Sequence, residues 1–345
     1  MLSYIVRRLA ILPIILLGVT LLIFSMIMRL SPYERVSTFV KDPSQLKGGV
    51  AQLDELIEKH GLNDPWYMQY GRWLKGVFRG DLGWSESAGM PVTQALKERF
   101  AATAEITLFA LIPVILGGTF LGIFAAVHHN DIWDHITRVL AIIGWSFPTF
   151  VFGLIVLMIF YGVLGWFPPG RLDNWALSIV NSPEFTNYTG LYVIDSILNL
   201  NFRVLGNAIR HLVAPVLSIA ILWWAYLMRI TRSSMLETLG KDYIRTARSK
   251  GLKERTVIYK HVVKNALIPV ITVSGQMLIG LMGGLVVTEA IFDIRGIGQF
   301  LAQSAQQLDY AGVLGGAIYF GFVLIIVNLI VDVSYALIDP RIRLE

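Results

Sequence analysis

The chain has 345 residues, of which 55% are hydrophobic and only 15% are charged, and its formal net charge is +5. Soluble domains carry about 25% charged residues, so the composition excludes an ordinary soluble domain and also a disordered chain. A disulfide-stapled secreted scaffold is excluded because the chain has no cysteine. The composition therefore indicates an integral membrane protein.

Six apolar runs approach the length of about 20 residues that a helix needs to cross a bilayer. They cover 9–28, 102–127, 139–164, 212–228, 267–287 and 313–337. The first run follows Arg7 and Arg8, but it is too long for a signal peptide and no small-residue cleavage site follows it. Prolines 113, 148, 215 and 269 are compatible with membrane helices, because neighbouring groups can satisfy the freed backbone. The sequence thus predicts an all-α integral membrane protein with six transmembrane helices, the first within 1–30.

The segment 31–100, between the first two helices, predicts a small helical cap on the outer face. Leu53, Leu56 and Ile57 recur at helical spacing, and an aromatic helix containing Trp66, Tyr70 and Trp73 follows. The stretch 61–65 separates the two helices, and Asp64 before a proline is a predicted helix start.

Orientation follows from the basic residues near the helix ends. The connection between the fourth and fifth helices contains ten basic residues and three acidic ones. The basic residues are Arg229, Arg232, Lys241, Arg245, Arg248, Lys250, Lys253, Arg255, Lys260 and Lys264. The tail adds Arg341 and Arg343. These charges predict that both termini are cytoplasmic and that the positive charge faces the inner membrane surface, which argues against a nucleic-acid partner.

Several catalytic and binding motifs are absent from the sequence. It has no G-x-x-x-x-G-K-[ST] phosphate loop, no G-x-S-x-G elbow and no H-E-x-x-H pair. A cluster of His128, His129, His135, Asp131 and Asp134 allows a metal site or, as the favoured interpretation, a solvated interfacial loop.

Few ionisable residues interrupt the apolar runs, and such residues often mark ion pathways. Glu105 and Asp332 lie near helix ends, where each could reach the interface or cap a helix. This distribution gives little support to the main alternative, a secondary transporter or channel that works without ATPases. A membrane enzyme, the third class, lacks a nucleophile–base or metal constellation.

The basic segment 242–261 predicts a short helix, a break at Gly251 and a second helix over 252–260 that runs into the fifth membrane helix. On charge alone, a basic surface attracted to anionic lipid explains it equally well. The segment, however, resembles the EAA-type coupling loop of membrane subunits in binding-protein-dependent ABC importers. Arg245-Thr246-Ala247 aligns with the Glu-Ala-Ala triplet, and Gly251 aligns with the glycine of that motif.

Two departures from the general motif indicate which branch of this importer family the chain resembles. Arg245 replaces the glutamate, and Val263-Lys264 replaces Leu-Pro. Both recur in the dipeptide, oligopeptide and nickel importers, and the chain most resembles their B-type dipeptide permeases. Further matching stretches lie at 80–83, 231–237, 288–292, 296–298 and 339–343.

The resemblance implies a type I ABC importer permease domain over 101–345, formed by helices two to six, with a cytoplasmic coupling loop at 231–266. Its expected partners are a second homologous permease in a heterodimer, two ATP-binding subunits, an extracytoplasmic solute-binding protein and membrane lipid. No cofactor is expected in this chain, because ATP and Mg²⁺ would bind the partner ATPases. The expected location is the cytoplasmic (inner) membrane of a bacterium or archaeon. The resemblance leaves the substrate open among peptides, glutathione, nickel complexes and oligosaccharides.

Two groups of site residues follow. The resemblance assigns ATPase coupling to Asp242, Tyr243, Arg245, Thr246, Ala247, Gly251, Leu252, Arg255 and His261. GxxxG spacing assigns close helix packing to Gly118 with Gly122 and to Gly280 with Gly284, either within the subunit or between subunits.

Overall fold

The computed structural model describes residues 2–36 and 49–338, and these are mostly helical. The elements in chain order are α1 (Leu2–Ile27), α2 (Pro32–Arg35), α3 (Gly49–Lys59), α4 (Trp66–Phe78), β1 (Trp84–Ser85), β2 (Met90–Pro91), α5 (Val92–Val127), α6 (Ile132–Ser146), α7 (Thr149–Leu157, continued by a π-helical turn Met158–Val163), α8 (Asn174–Val180), α9 (Tyr192–Leu198), α10 (Phe202–Leu239), α11 (Asp242–Ser249), α12 (Glu254–Thr256, continued by a π-helical turn Val257–Val262), α13 (Val263–Met282), α14 (Val286–Ile291), α15 (Ile297–Gln306) and α16 (Tyr310–Ile338). The two strands form one antiparallel hairpin with Trp84 opposite Pro91. Residues 339–343 of the predicted tail motif lie outside the described residues.

Among the described residues, four helices are long and apolar enough to cross a membrane: Val92–Val127, Phe202–Leu239, Glu254–Met282 and Tyr310–Ser334. A bent pair, Ile132–Ser146 with Thr149–Val163, makes a fifth if it is one span. The apolar helix Pro13–Ile27 is shorter than these. Length and composition in the described part of the chain therefore give four or five candidate spans, against the six predicted.

The predicted third helix, 139–164, is not continuous. Phe147 is extended (φ −76°, ψ 128°), α6 ends before it, and the axes on the two sides differ by 96°. Pro148 explains the break, because proline disfavours the helical conformation of the residue before it and lacks an N–H. Pro113, Pro215 and Pro269, in contrast, lie inside continuous helices.

The boundaries of the predicted fourth and fifth helices also shift. The fourth, α10, extends beyond 212–228 at both ends and includes 231–239 of the predicted loop. The fifth ends at Met282 rather than 287, because Gly284 has the non-helical φ of +117°. A Cβ added to Gly284 would collide with the backbone of Gly298, so this position requires glycine. The segment between α10 and α12 is therefore shorter than the predicted loop 231–266.

The chain divides into two compact units. The first comprises the chain through Ala101 with Gly283–Val286 and Arg295–Ile326, and the second comprises Ala102–Met282, Val287–Ile294 and the chain from Val327. In the first unit, Val36, Ile57 and Leu62 form an apolar cluster that packs with Leu53 and Leu56 of α3, as the helical spacing predicts. In the second, α5, α10 and α13 share an apolar core of Val114, Ala220, Leu227, Val270 and Met277.

Helix α4 packs against α1 through its predicted aromatic residues. Tyr70 and Trp73 stack on each other and contact the Phe24 ring, with centroids 5.2 and 6.3 Å from that ring, while Trp66 is exposed. The helix begins at Trp66 with Pro65 as its N-cap, two residues after the predicted start at Asp64, and the Asp64 carboxylate binds Arg72. The charge-assisted bond to Arg72, about two helix turns along the chain, satisfies this carboxylate without the backbone N–H groups of the helix start.

Candidate functional site

Within the predicted coupling loop 231–266, the structure places residues 240–262 between α10 and α13, and this coupling segment sits on a buried apolar base. Ile244 and Ala247, one turn apart on α11, face inward and pack with Met235 of α10. The remaining buried members of this cluster are Ala126, Val257, Val262 and Ala266. Because the cluster joins α5, α10, α11 and the start of α13, the segment is a projection that is anchored to these helices by apolar packing.

Gly251 makes the turn between the two short helices, as the sequence predicts. Its φ is +75°, and its N–H donates to the Arg248 carbonyl at 2.9 Å, which closes the end of α11. A Cβ added there would meet no atom within 4 Å, so the conformation alone demands glycine. A side chain at this position would therefore change the turn without clashing with a neighbour.

An ion pair crosses this turn. Arg248 Nη2 lies 2.6 Å from Glu254 Oε1, and the carboxylate raises the pKa of Arg248 by hydrogen bonding. Both side chains are about half exposed. Arg248 therefore links α11 to α12 and is not a residue that contacts only lipid.

The predicted coupling residues divide by exposure. The exposed ones are Asp242, Tyr243, Arg245, Thr246, Gly251, Leu252 and Arg255. Ala247 is buried in the base, and His261 is half-buried. The structure thus assigns Ala247 to packing and leaves a mixed surface of basic and apolar side chains, with Tyr243 and Leu252 45% and 40% exposed.

The second short helix is continuous with a membrane-length helix. It begins at Glu254, two residues later than predicted, and runs through the π-helical turn Val257–Val262 into α13 without a break. The whole helix Glu254–Met282 has 29 residues. A force on the turn at Gly251 would therefore act directly on this helix.

The His/Asp cluster beside this region is an ion-pair site. Asp134 is fully buried, and its two oxygens each accept a hydrogen bond from Arg232 of α10 at 2.7 Å. The Asn130 N–H adds a third at 3.1 Å, and Asp131 caps α6. No group of three metal-ligating side chains occurs in the ranges the structure describes. The Asp134–Arg232 pair fixes the start of α6 to α10 just before the coupling segment.

The two predicted glycine pairs differ. Gly118 and Gly122 on α5 pack tightly on α10: a Cβ at Gly118 would lie 2.8 Å from the Leu227 Cβ, and one at Gly122 would collide with Thr231. This contact is within the subunit. Gly280 has no atom within 4 Å of an added Cβ, and Gly284, beyond the end of α13, faces Gly298 instead. The two glycines therefore do not form one packing surface within the described part of the subunit, and packing between subunits stays a prediction.

The opposite end of α10 carries buried charges whose pairing the sequence analysis missed. Glu105 is 4% exposed, and its carboxylate accepts from Arg171 Nη2 at 2.7 Å and from the Val193 N–H at the start of α9 at 2.8 Å. The sequence allows Glu105 either to reach the membrane interface or to cap a helix, and its bond from the Val193 N–H shows that it caps α9. A lone arginine in the mostly neutral stretch 165–200 is the signal that could have indicated its partner.

A second polar contact lies beside this pair. Asp173 accepts from Asn207 Nδ2 at 2.6 Å and lies 3.3 Å from His211 Nε2. Burial opposes ionisation of Asp173, but the hydrogen bond from Asn207 and the electrostatic interaction with His211 outweigh it, so the pKa of Asp173 is lowered. Together the two contacts anchor the short helices α8 and α9 to α5 and α10.

These features define a multi-pass helical membrane protein with a projecting helix–turn–helix. The family model of the binding-protein-dependent transport system inner membrane component matches residues 118–344, and the chain belongs to this family. A dipeptide transport system permease of Alkalihalophilus pseudofirmus is 38% identical over 99% of this chain and 100% of its own length. A probable D,D-dipeptide permease of Escherichia coli is 42% identical over 87% and 88%, and an oligopeptide permease of Bacillus subtilis is 37% identical over 99% and 100%. The chain is therefore a permease subunit of a binding-protein-dependent ABC importer, a transport component rather than an enzyme, and the predicted family is confirmed.

Proposed function

We propose that this chain forms half of the translocation pathway for dipeptides or short oligopeptides. The names of its relatives support the substrate class. A second homologous permease supplies the other half, and an extracytoplasmic binding protein delivers the substrate. Two ATPase subunits bind ATP and Mg²⁺, since this sequence has no phosphate-binding loop of the Walker type.

The observation that carries this proposal is the exposed turn at Gly251 on its buried base. In the proposed mechanism the projection enters a groove on an ATPase subunit, and closure of the ATPase pair displaces it. Helix Glu254–Met282 then tilts and converts the pathway from inward- to outward-facing. The energy comes from differential affinity, because ATP favours the closed ATPase pair and that pair favours one permease conformation.

The proposed layout has six membrane crossings with both termini and the coupling segment on the cytoplasmic side. The basic residues of the coupling segment support this orientation. Segment 31–100 would be an outer cap that meets the binding protein or covers the outer mouth. Replacement of this segment by a short linker should abolish uptake in an assembled complex, and unchanged uptake would exclude a necessary cap.

Reconstitution tests the function directly. Vesicles that contain this chain, its permease partner and both ATPases should accumulate a labelled dipeptide only with external binding protein and internal ATP. The purified chain alone should show no vanadate-sensitive ATP hydrolysis. Uptake that persists without the ATPases would favour a secondary transporter and contradict the proposal.

A further inference from the structure

The connection between the π-helical turn Met158–Val163 and α8, residues 164–173, is held to α10 by a histidine. His211 Nδ1 lies 3.0 Å from the Pro169 carbonyl oxygen, and its Nε2 lies 3.3 Å from Asp173 Oδ1. The His211 side chain is only 2% exposed, so these two contacts account for both of its ring nitrogens. Neither contact belongs to the coupling segment.

Both atoms that face the ring are hydrogen-bond acceptors. A proline carbonyl oxygen cannot donate, so Nδ1 carries a proton. Asn207 fixes one oxygen of Asp173 as an acceptor, because its Oδ1 accepts from the Asp173 N–H at 2.9 Å and its Nδ2 donates to Asp173 Oδ2 at 2.6 Å. Burial opposes ionisation of Asp173, but the bond from Asn207 and the interaction with His211 lower its pKa. The proton between Oδ1 and Nε2 therefore lies on Nε2, and a histidine with two protonated nitrogens is a cation.

We propose that His211 is a buried imidazolium that holds the connection 164–173 to α10, and that loss of its Nε2 proton releases this connection. In the neutral ring the Nε2 lone pair would face a carboxylate oxygen, and two acceptors repel each other. The proton moves from Nε2 to Asp173 Oδ1 and then to water, which reaches the Asp173 side chain because it is 34% exposed. The Nδ1 proton stays on the ring. The contact is therefore present while His211 is charged and is lost as the pH rises.

The other charged groups on the elements packed at this end of α10 have partners of their own or lie in solvent. Helices α7 and α8 contain no charged side chain. The paired groups are Arg171 with Glu105, Arg210 with the carbonyl oxygens of Gly165 and Trp166, Arg203 with the Trp175 ring, and Asp195 with Thr189 and Gly190. Glu184, between α8 and α9, is exposed. Among the described residues, Asp173 is therefore the carboxylate that decides the charge of His211.

Release should be confined to the connection. Leu172 is 7% exposed and packs in the apolar cluster between α8 and α10. Val180, at the far end of α8 and 2% exposed, belongs to the same cluster. Leu172 directly precedes Asp173, so its burial depends on the contact with His211, whereas that of Val180 does not. In the proposed layout this end of α10 faces outward, so external pH would control the connection, and this last step alone rests on the proposed function.

Thiol labelling of the assembled complex in lipid vesicles tests this proposal. The chain has no cysteine, so Leu172→Cys and Val180→Cys each report one position when label is scored on this chain. A membrane-permeant maleimide is applied at equal pH on both sides, over about pH 5.5–9, which spans the ordinary titration of histidine. Each rate is divided by that of the same variant in denaturant, which corrects for ionisation of the thiol. We expect the corrected rate at Leu172→Cys to rise roughly tenfold with pH, the factor for loss of one hydrogen bond to a charged group, and that at Val180→Cys to stay constant.

Three variants in the Leu172→Cys background assign the effect to the pair. His211→Gln has no titrating ring, so labelling should not change with pH. His135→Gln, at an exposed position of α6, is its control and should keep the transition. Asp173→Asn removes the charge that favours a protonated ring, so its transition should occur at a lower pH, an effect that loss of a merely structural contact would not produce.

Labelling that does not vary with pH while His211 is present, or the same transition with His211→Gln, would overturn the proposal. So would an unchanged transition with Asp173→Asn, or an equal rise at Val180→Cys, which would mean general unfolding. Because labelling requires neither ATP nor substrate, these outcomes are distinct from a failure of the proposed transport function.

Discussion

The two ends of helix α10 carry pairs of short helices that both rest on apolar clusters but differ in their ion pairs. At its start, α8 and α9 pack with Val204 and Ala208 of α10, and the buried Glu105 pairs with Arg171. At its end, α11 and α12 rest on an apolar cluster around Ile244, and their ion pairs lie on the surface.

The difference has an energetic consequence. A buried ion pair is specific but fragile, because removal of one partner leaves an unpaired charge in a poorly solvated place. An apolar base with an exposed polar surface tolerates surface changes, so its outer side chains are free to contact a partner. We therefore expect substitutions at the start of α10 to impair folding, and those at its end to impair coupling.

The largest effect should come from Glu105→Ala. It leaves the Arg171 guanidinium, 18% exposed, without its carboxylate and removes the acceptor of the Val193 N–H, so we expect a loss of about 3–5 kcal/mol of stability. Glu237→Ala, which removes an exposed pair with Lys241, is the control and should leave the unfolding midpoint nearly unchanged. Thermal unfolding of the purified complex measures both, and equal midpoints would contradict the contrast.

Glycine substitutions extend the comparison to the middle of α10. Gly122→Leu forces a side chain into Thr231 and the Met228 carbonyl, and overpacking of this kind costs about 1–3 kcal/mol. Gly280→Leu meets open space and should leave the unfolding midpoint unchanged. A similar loss at both positions would mean that Gly280 packs against another subunit in the complex.

At the coupling end, Gly251→Val should separate folding from function. A β-branched residue at φ +75° costs about 1–2 kcal/mol or more, which would displace the start of helix Glu254–Met282 and leave the other membrane-length helices in place. Gly240→Val is the matched control, since Gly240 has an ordinary φ of −79°. We expect weaker ATPase retention and lower uptake for Gly251→Val alone. Full retention and full uptake would show that this turn is not the coupling element.

The smallest effects should come from surface charges of the coupling segment. Arg248→Ala breaks the pair with Glu254 across the turn, and exposed pairs of this kind contribute about 0.2–1 kcal/mol. Lys250→Glu, at an exposed position beside the turn, should change stability less than Arg248→Ala. The unfolding midpoint and the ATPase rate of the assembled complex measure both, and a larger effect of Lys250→Glu would reverse this order.

Local patterns predicted the parts of the structure that depend on neighbouring residues. The turn at Gly251, the packing face of α3 and the aromatic helix α4 follow from short-range spacing. The pairs Glu105–Arg171 and Asp134–Arg232 join residues 66 and 98 positions apart, so only the tertiary structure brings them together. Tertiary context also decides which proline breaks a helix, because a break occurs at Pro148 whereas Pro113 lies inside a continuous helix.

The central claim is that the Gly251 turn contacts an ATPase subunit, and cysteine cross-linking tests it most directly. The chain has no cysteine of its own, so a single introduced thiol reports one position. Leu252→Cys, at the exposed turn, should cross-link to an ATPase subunit in the assembled complex, and Tyr188→Cys, exposed near α9, should not. Cross-linking from Tyr188→Cys, or none from Leu252→Cys in a complex that retains its ATPases, would contradict the account.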